Sequence, residues 1–188
     1  MSTFRRYQSA DYEYSFTNPK PHNYVLAPLN LTSVLKDDHY NINAEIFKLY
    51  VNNVIPSLNL VGDDQLYDLT ATADITLLQA ISRRIHYGKI VAESKFVGPT
   101  AAQYTALIKA KDEAGISALL TDAAQEAVVI ARATAKASYY GATLDWVNNV
   151  LVPGTVKIPP KAVTDLYKNY LIPLTKVVEV HYLMHRLD

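Results

Sequence analysis

The chain has 188 residues, 49% of them apolar, and its charges cancel: 18 Lys and Arg against 18 Asp and Glu. That length carries one domain with a full core, and that apolar share excludes a wholly disordered chain. The balanced charge argues against nucleic acid, and no run of 18 apolar residues suits a membrane span. The opening Met-Ser-Thr-Phe-Arg-Arg-Tyr-Gln lacks the apolar stretch of a secretory signal. The absence of cysteine removes disulfides, thiolate catalysis and Cys–metal sites together, and fits a cytoplasmic setting.

Residues 1–42 read as irregular, with Pro19, Pro21 and Pro28 interrupting any helix. Helical spacing begins near Asn43, where Ile46, Leu49, Tyr50, Asn53 and Val54 recur up to Pro56. Gly62-Asp63-Asp64 signals a turn. One long helix is predicted from about Thr72 to Phe96, with Ile75, Leu78, Ile81, Ile85, Ala92 and Phe96 along one stripe. Asp74 near its start suits the helix dipole, and Gly98-Pro99 ends it. Residues 100–111 and 113–120 read as two short helices. Thr121 or Asp122 can cap an alanine-rich helix that runs to about Tyr140 and stops at Gly141. Residues 142–159 read as a connection; Val150–Ile158 is strand-like but is taken as loop. The last helix starts at Pro160 and carries Leu166, Tyr170, Leu174, Val178 and Met184. The fold class is therefore all-α, about six helices in a single bundle-like domain over residues 1–188.

One short echo stands out. Leu49-Tyr-Val-Asn-Asn-Val-Ile-Pro56 is similar to Leu166-Tyr-Lys-Asn-Tyr-Leu-Ile-Pro173. Two copies make no repeat array; two helices that each tolerate a kinking proline explain it.

Three polar pairs occupy helical faces. Arg84 and Lys95 are eleven residues apart, three turns of one helix, with Gly88 and Val91 between them. Two cations above small residues can grip a dianion, although two solvated basic residues are the commoner outcome. Asp122 and Glu126 share a face with Val129, Ala133 and Ala137. Acids in a first turn also simply offset the dipole, which explains Asp122 better than Glu126. Thr175 and Glu179 lie within the last helix's apolar stripe, where a carboxylate needs a cation such as Lys95 or a partly exposed edge. No pattern for a metal or a cofactor is present. His181 and His185 lack the glutamate of a zinc-protease motif and read as terminal helix cations. His86 reads as a packing or surface residue.

Longer stretches carry a resemblance. Ile81-Ser-Arg-Arg-Ile-His-Tyr-Gly-Lys-Ile-Val-Ala-Glu-Ser-Lys-Phe96 resembles the signature helix of the eukaryotic, yeast-type chorismate mutases, and Leu171–Leu187 resembles their final helix. Tyr104–Asp112 and Tyr24–Pro28 also match. The resemblance implies the all-helical type II fold, a dimer, and a cofactor-free Claisen rearrangement of chorismate, a dianion, to prephenate in aromatic amino acid biosynthesis. It implies that Arg84 binds a substrate carboxylate and that Lys95 donates to the ether oxygen and a carboxylate. Glu126 would hold the substrate hydroxyl, and Thr175 would support carboxylate binding. Asp122 stands where the yeast-type enzymes have Asn and bacterial relatives have Asp. Glu179 would face the ether oxygen and must be protonated to donate there, which favours activity at lower pH.

The chain departs from the family in two ways. The family's first helix, with a further carboxylate-binding arginine, is not seen before Arg5-Arg6, the pair that in the family helps bind a regulatory aromatic amino acid. Losing one such contact costs about 1.5–3 kcal/mol. Around Asp68-Leu69 the family's effector-loop Gly-Ser is replaced, although Thr72 matches, so control by tryptophan and tyrosine is not expected. The leading reading is a chorismate mutase, weakened and unregulated. The alternatives are a repurposed pericyclase or isomerase on the same scaffold, and a non-catalytic subunit. Expected partners are a chorismate-like dianion and a second copy of the chain or a related subunit, with no nucleic acid and no membrane.

Overall fold

The computed structural model describes Phe16, residues 34–36 and residues 39–188, whose regular secondary structure is helical apart from one pair of two-residue strands. Helix α1 spans Asn43–Leu49 and continues through a π-helical turn, Tyr50–Val54, into the short α2, Ile55–Ser57. The π turn precedes Pro56, and its widened hydrogen bond runs from the Ile55 amide to the Tyr50 carbonyl. Proline has no N–H and its ring collides with the carbonyl four residues back, so a wider turn relieves the clash. The second half of the echo behaves identically. Helix α8, Pro160–Leu166, passes through a π turn at Tyr167–Leu171 into α9, Ile172–Met184, where the Ile172 amide donates to Tyr167.

Between these ends the chain keeps the predicted order with three corrections. Helix α3 is Tyr67–His86, so Asp68 rather than Asp74 occupies its first turn. The predicted single helix to Phe96 is two: Tyr87, at ψ −9°, ends α3, and α4 is Gly88–Phe96. Helices α5, Ala101–Lys109, α6, Glu113–Leu120, and α7, Ala123–Tyr139, come next. Asp112 caps α6 by accepting from the Gly115 amide at 2.8 Å, and Asp122 caps α7 through the Gln125 amide at 3.0 Å. Gly141, at φ +67°, takes the left-handed conformation that stops α7. The third correction concerns Val150–Leu151, read as loop. It is strand β2, paired antiparallel with β1, Leu144–Asp145. The Asp145 carboxylate closes that hairpin by accepting from the amides of Val147 and Asn148. Among the described residues no single helix is long and apolar enough to cross a membrane.

The chain divides into two compact units. One holds residues up to Lys48, Asp63–Thr121 and Leu174–Asp188; the other holds Leu49–Gly62 and Asp122–Pro173. In the second, α7 packs on α8 and the π turn after it. Small residues on α7 allow close approach there, and the Thr134 and Thr164 hydroxyls meet at 2.6 Å. In the first, Ala92, Tyr104, Ile108, Ile116, Tyr182 and Leu183 form a core.

A buried carboxylate crosses that core. Glu93 of α4 is 4% exposed. It accepts from the Tyr182 hydroxyl at 2.5 Å, Arg186 Nε at 2.7 Å and an Arg186 terminal nitrogen at 3.0 Å. The Arg186 guanidinium also lies over the Phe96 ring, 4.9 Å from its centroid. Burial pushes the Glu93 carboxyl up, but the Arg186 and Tyr182 hydrogen bonds and the Arg186 charge outweigh it and hold the group below its ordinary range. Burial, and then the bond to Glu93, push the Tyr182 hydroxyl up to about 12.

These shifts set a pH window. A lowered carboxyl pKa stabilises the fold above the unfolded value and is lost as pH falls through the folded one. A raised phenol pKa stabilises below the unfolded value of 10.0 and is lost as pH rises towards about 12. Urea melts across pH should therefore show Tyr182→Phe losing the fall in stability above pH 10, on the order of 2 kcal/mol. Glu93→Gln should lose part of the acid fall. Curves parallel to wild type for both variants would show that the cluster adds nothing to the pH dependence.

Candidate active site

Arg84, Lys95, Thr175 and Glu179 belong to the first unit. Gly88 opens α4 and is buried against α9. A methyl group there would come within 3.0 Å of Glu179 Cγ and Thr175 Cγ2, and 3.1 Å from the Thr175 carbonyl. The space above Gly88 is therefore filled by the side chains of Thr175 and Glu179, each 8% exposed. This corrects the reading of Gly88 as room for a ligand. Glycine lets the two helices approach, and the approach places the hydroxyl and the carboxyl. Tyr104 of α5 is also near: burial first, and then the charge of Glu179, push its hydroxyl pKa up.

Lys95 is the second-to-last residue of α4 and is half-buried. Its ammonium donates to the carbonyl of Leu120 at 2.7 Å. Leu120 ends α6, where unpaired carbonyls carry the negative end of the helix dipole. One of the three ammonium protons is thus fixed, and the others remain for a ligand. Arg84 is exposed in the last turn of α3. The helix break at Tyr87 and the inward turn of Gly88 overturn the single continuous face drawn through Arg84, Gly88, Val91 and Lys95. Gly88 is buried, whereas Val91 is 41% exposed.

Asp122 and Glu126 belong to the second unit. Asp122 is the N-cap of α7, the dipole-offsetting role open to it from sequence, and Glu126 is half-buried in that first turn. Thr72 is exposed on α3, its hydroxyl donating to the Asp68 carbonyl at 2.8 Å. Arg5, Arg6 and Tyr24–Pro28 lie outside the described residues. His86 is a packing residue: its Nε2 accepts the Ile42 amide at 3.1 Å, and Ser82 joins its ring to Asn43. His181 stacks between Tyr40 and His185.

Sequence reasoning passed over Glu93 and Arg186 and took Tyr182 only as part of the last helix's apolar stripe. The only signals were a carboxylate beside the buried Ala92, and Tyr182 and Arg186 at i and i+4 on one face.

Gly88→Ala tests this packing. Alanine in a helix ordinarily stabilises by about 1 kcal/mol over glycine. Here the methyl group meets backbone as well as side chains, so the expected outcome is a loss of about 1–3 kcal/mol. Thermal melting reads the sign directly, and a higher melting temperature would refute the close approach.

Comparison with known proteins places this geometry. The family model for chorismate mutase type II matches residues 66–180. The chorismate mutase of Emericella nidulans is 42% identical over the whole chain, which spans 71% of that protein. That of Saccharomyces cerevisiae is 39% identical, again over the whole chain and 72% of its own length. Among solved structures, the Aro7p chorismate mutase from Candida albicans in complex with L-Trp superimposes with a TM-score of 0.81 at 36% identity, covering 99% of this chain and 69% of that one. These matches run through every helix that carries Arg84, Lys95, Thr175 and Glu179, and the chain belongs to the type II chorismate mutase family.

Proposed function

We propose that this chain converts chorismate to prephenate by Claisen rearrangement, without cofactor or covalent intermediate. The observation that carries the reading is the placement of Lys95, Thr175 and Glu179 in one unit, on the two helices joined at Gly88, in a chain of this family. The reaction breaks an ether C–O bond while a C–C bond forms, and negative charge develops on the ether oxygen. A fixed ammonium, Lys95, and a protonated Glu179 supply donors to that oxygen. Donors held in place before the reaction stabilise the transition state without reorganising. Arg84 and Thr175 serve the substrate carboxylates, and holding both ends of the substrate favours its reactive conformer. Glu126 takes the substrate hydroxyl and Asp122 contributes to substrate binding, roles that rest on family membership alone.

The test is prephenate formation by the purified protein. Lys95→Ala should cut kcat/KM by about a hundred-fold or more, and Arg84→Ala by about ten- to a hundred-fold through a higher KM. Wild type that consumes no chorismate at any pH from 4 to 8 would leave the repurposed or non-catalytic readings. Since Glu179 donates only when protonated, turnover should fall as pH rises through its titration. Glu179→Gln, a donor that does not titrate, should remove that fall; an unchanged profile would assign the pH dependence elsewhere.

A homodimer is part of the proposal. The first half of α3 exposes Leu69 at 60% and Ile75 at 42%, an apolar surface that a second copy would cover. Light scattering on the eluted protein should give twice the chain mass of 21.0 kDa; a monomer would reject it.

A further inference from the structure

The α4–α9 contact is fastened at two points. At one, Gly88 lies against Thr175 and Glu179. At the other, Glu93 takes hydrogen bonds from Tyr182 and Arg186. Residue 88 meets 175 and 179, and residue 93 meets 182 and 186, so the two helices run parallel. The apolar contact between them, Ala92 against Tyr182 and Leu183, has little directional preference. The Glu93 cluster does have one. A planar guanidinium holding both oxygens of one carboxylate fixes distance and rotation together. The Tyr182 hydroxyl extends the cluster by accepting from the Lys36 amide at 3.2 Å, and Lys36 Nζ donates to the His185 carbonyl at 3.0 Å. The end of α9 is thus held from α4 and from the segment around Lys36.

The groups assigned to the ether oxygen lie on these same two helices. Lys95 is two residues beyond Glu93, and Glu179 is one turn before Tyr182. A slide or rotation of α4 against α9 therefore moves one donor relative to the other. Arg84, on α3 beyond the Tyr87 break, is not tied to the cluster through α4.

We propose that Glu93, Tyr182 and Arg186 are positioning residues that set the register of α4 against α9 and so hold Lys95 and Glu179 at their working separation. This rests on the chorismate mutase reading for its kinetic consequence but not for its geometry.

The geometry is tested first. The chain has no cysteine, so nitroxide labels can be attached through Val91→Cys on α4 and Val177→Cys on α9, both exposed positions. The inter-label distance distribution should be narrow in the parent chain and should broaden or shift with Glu93→Gln. An unchanged distribution overturns the proposal whether or not chorismate is turned over.

The kinetic arm uses Glu93→Gln and Tyr182→Phe, the second keeping its ring in the core in case the first fails to fold. Assayed well below their melting temperatures, both should lower kcat, Glu93→Gln by about ten- to a hundred-fold, since a misplacement near 1 Å costs that much. KM should stay within about three-fold, because the carboxylate contacts of Arg84 are left in place. In a Lys95→Ala background, Glu93→Gln should add less than about a two-fold loss, because the group it positions is already gone. A full, multiplicative loss in that background, or a wild-type kcat in both variants, overturns the positioning role. Wild type inactive on chorismate counts against the function reading alone, and the label distances still decide the register.

Discussion

Glu93 is a carboxylate with 4% of its surface exposed, and the arrangement of the first unit depends on how its charge is satisfied. An ionised carboxyl in such a place is tolerable only with donors on both oxygens. Arg186 and Tyr182 supply three hydrogen bonds, and both come from the C-terminal end of the chain. Replacing such a cluster with well-packed apolar groups is often neutral for stability, whereas removing one member costs several kcal/mol. The value of the cluster is therefore specificity. It makes one register of α4 on α9 far better than its neighbours, where apolar packing alone would allow several.

A short helix then carries three different functions. From Gly88 to Lys95 is seven residues, about 10 Å of helix. Gly88 sets how close α9 comes, Glu93 sets where along α4 it sits, and Lys95 presents the cation. Lys95 is fixed at its tip as well, through the carbonyl that ends α6. An ammonium bonded to a helix C-terminus is oriented before any substrate arrives. Two of these constraints come from the C-terminal helix and its end, and the third from the end of α6.

The helices and their ends were legible in the sequence because those signals are local. Asp122 caps α7, Gly141 stops it and Gly98 lies just past α4, as the residue types require. The break at Tyr87 was not legible, since nothing there forbids a helix; the apolar stripe runs straight across it. The β-hairpin was missed because two-residue strands are shorter than any alternation that could reveal them. Gly88 was noticed but assigned the opposite role. A glycine between two cations looks the same in sequence whether a ligand or another helix fills the space. The Glu93–Arg186 pair spans 93 residues, and no local pattern predicts a partner at that distance.

Pro173 sets the phase of the last helix. A stripe through Leu166, Tyr170, Leu174 and Val178 assumes uninterrupted α-helical phase. The π turn at Tyr167–Leu171 adds the equivalent of one residue to a turn, which rotates the remainder of the helix by about 100°. Leu166, Tyr170 and Leu174 are only half-buried, while Leu171, Thr175, Val178, Glu179, Tyr182 and Leu183 are buried. Thr175 and Glu179 thus face inward beside Val178 and Tyr182. A widened turn accommodates Pro173, and the α-helix that follows carries Thr175 and Glu179 on its buried face. The echo at Ile-Pro56 makes the same turn, and the helix after it ends at Ser57. The π turn is thus a consequence of the proline in both places, and in the last helix it is followed by a buried hydroxyl and a buried carboxyl.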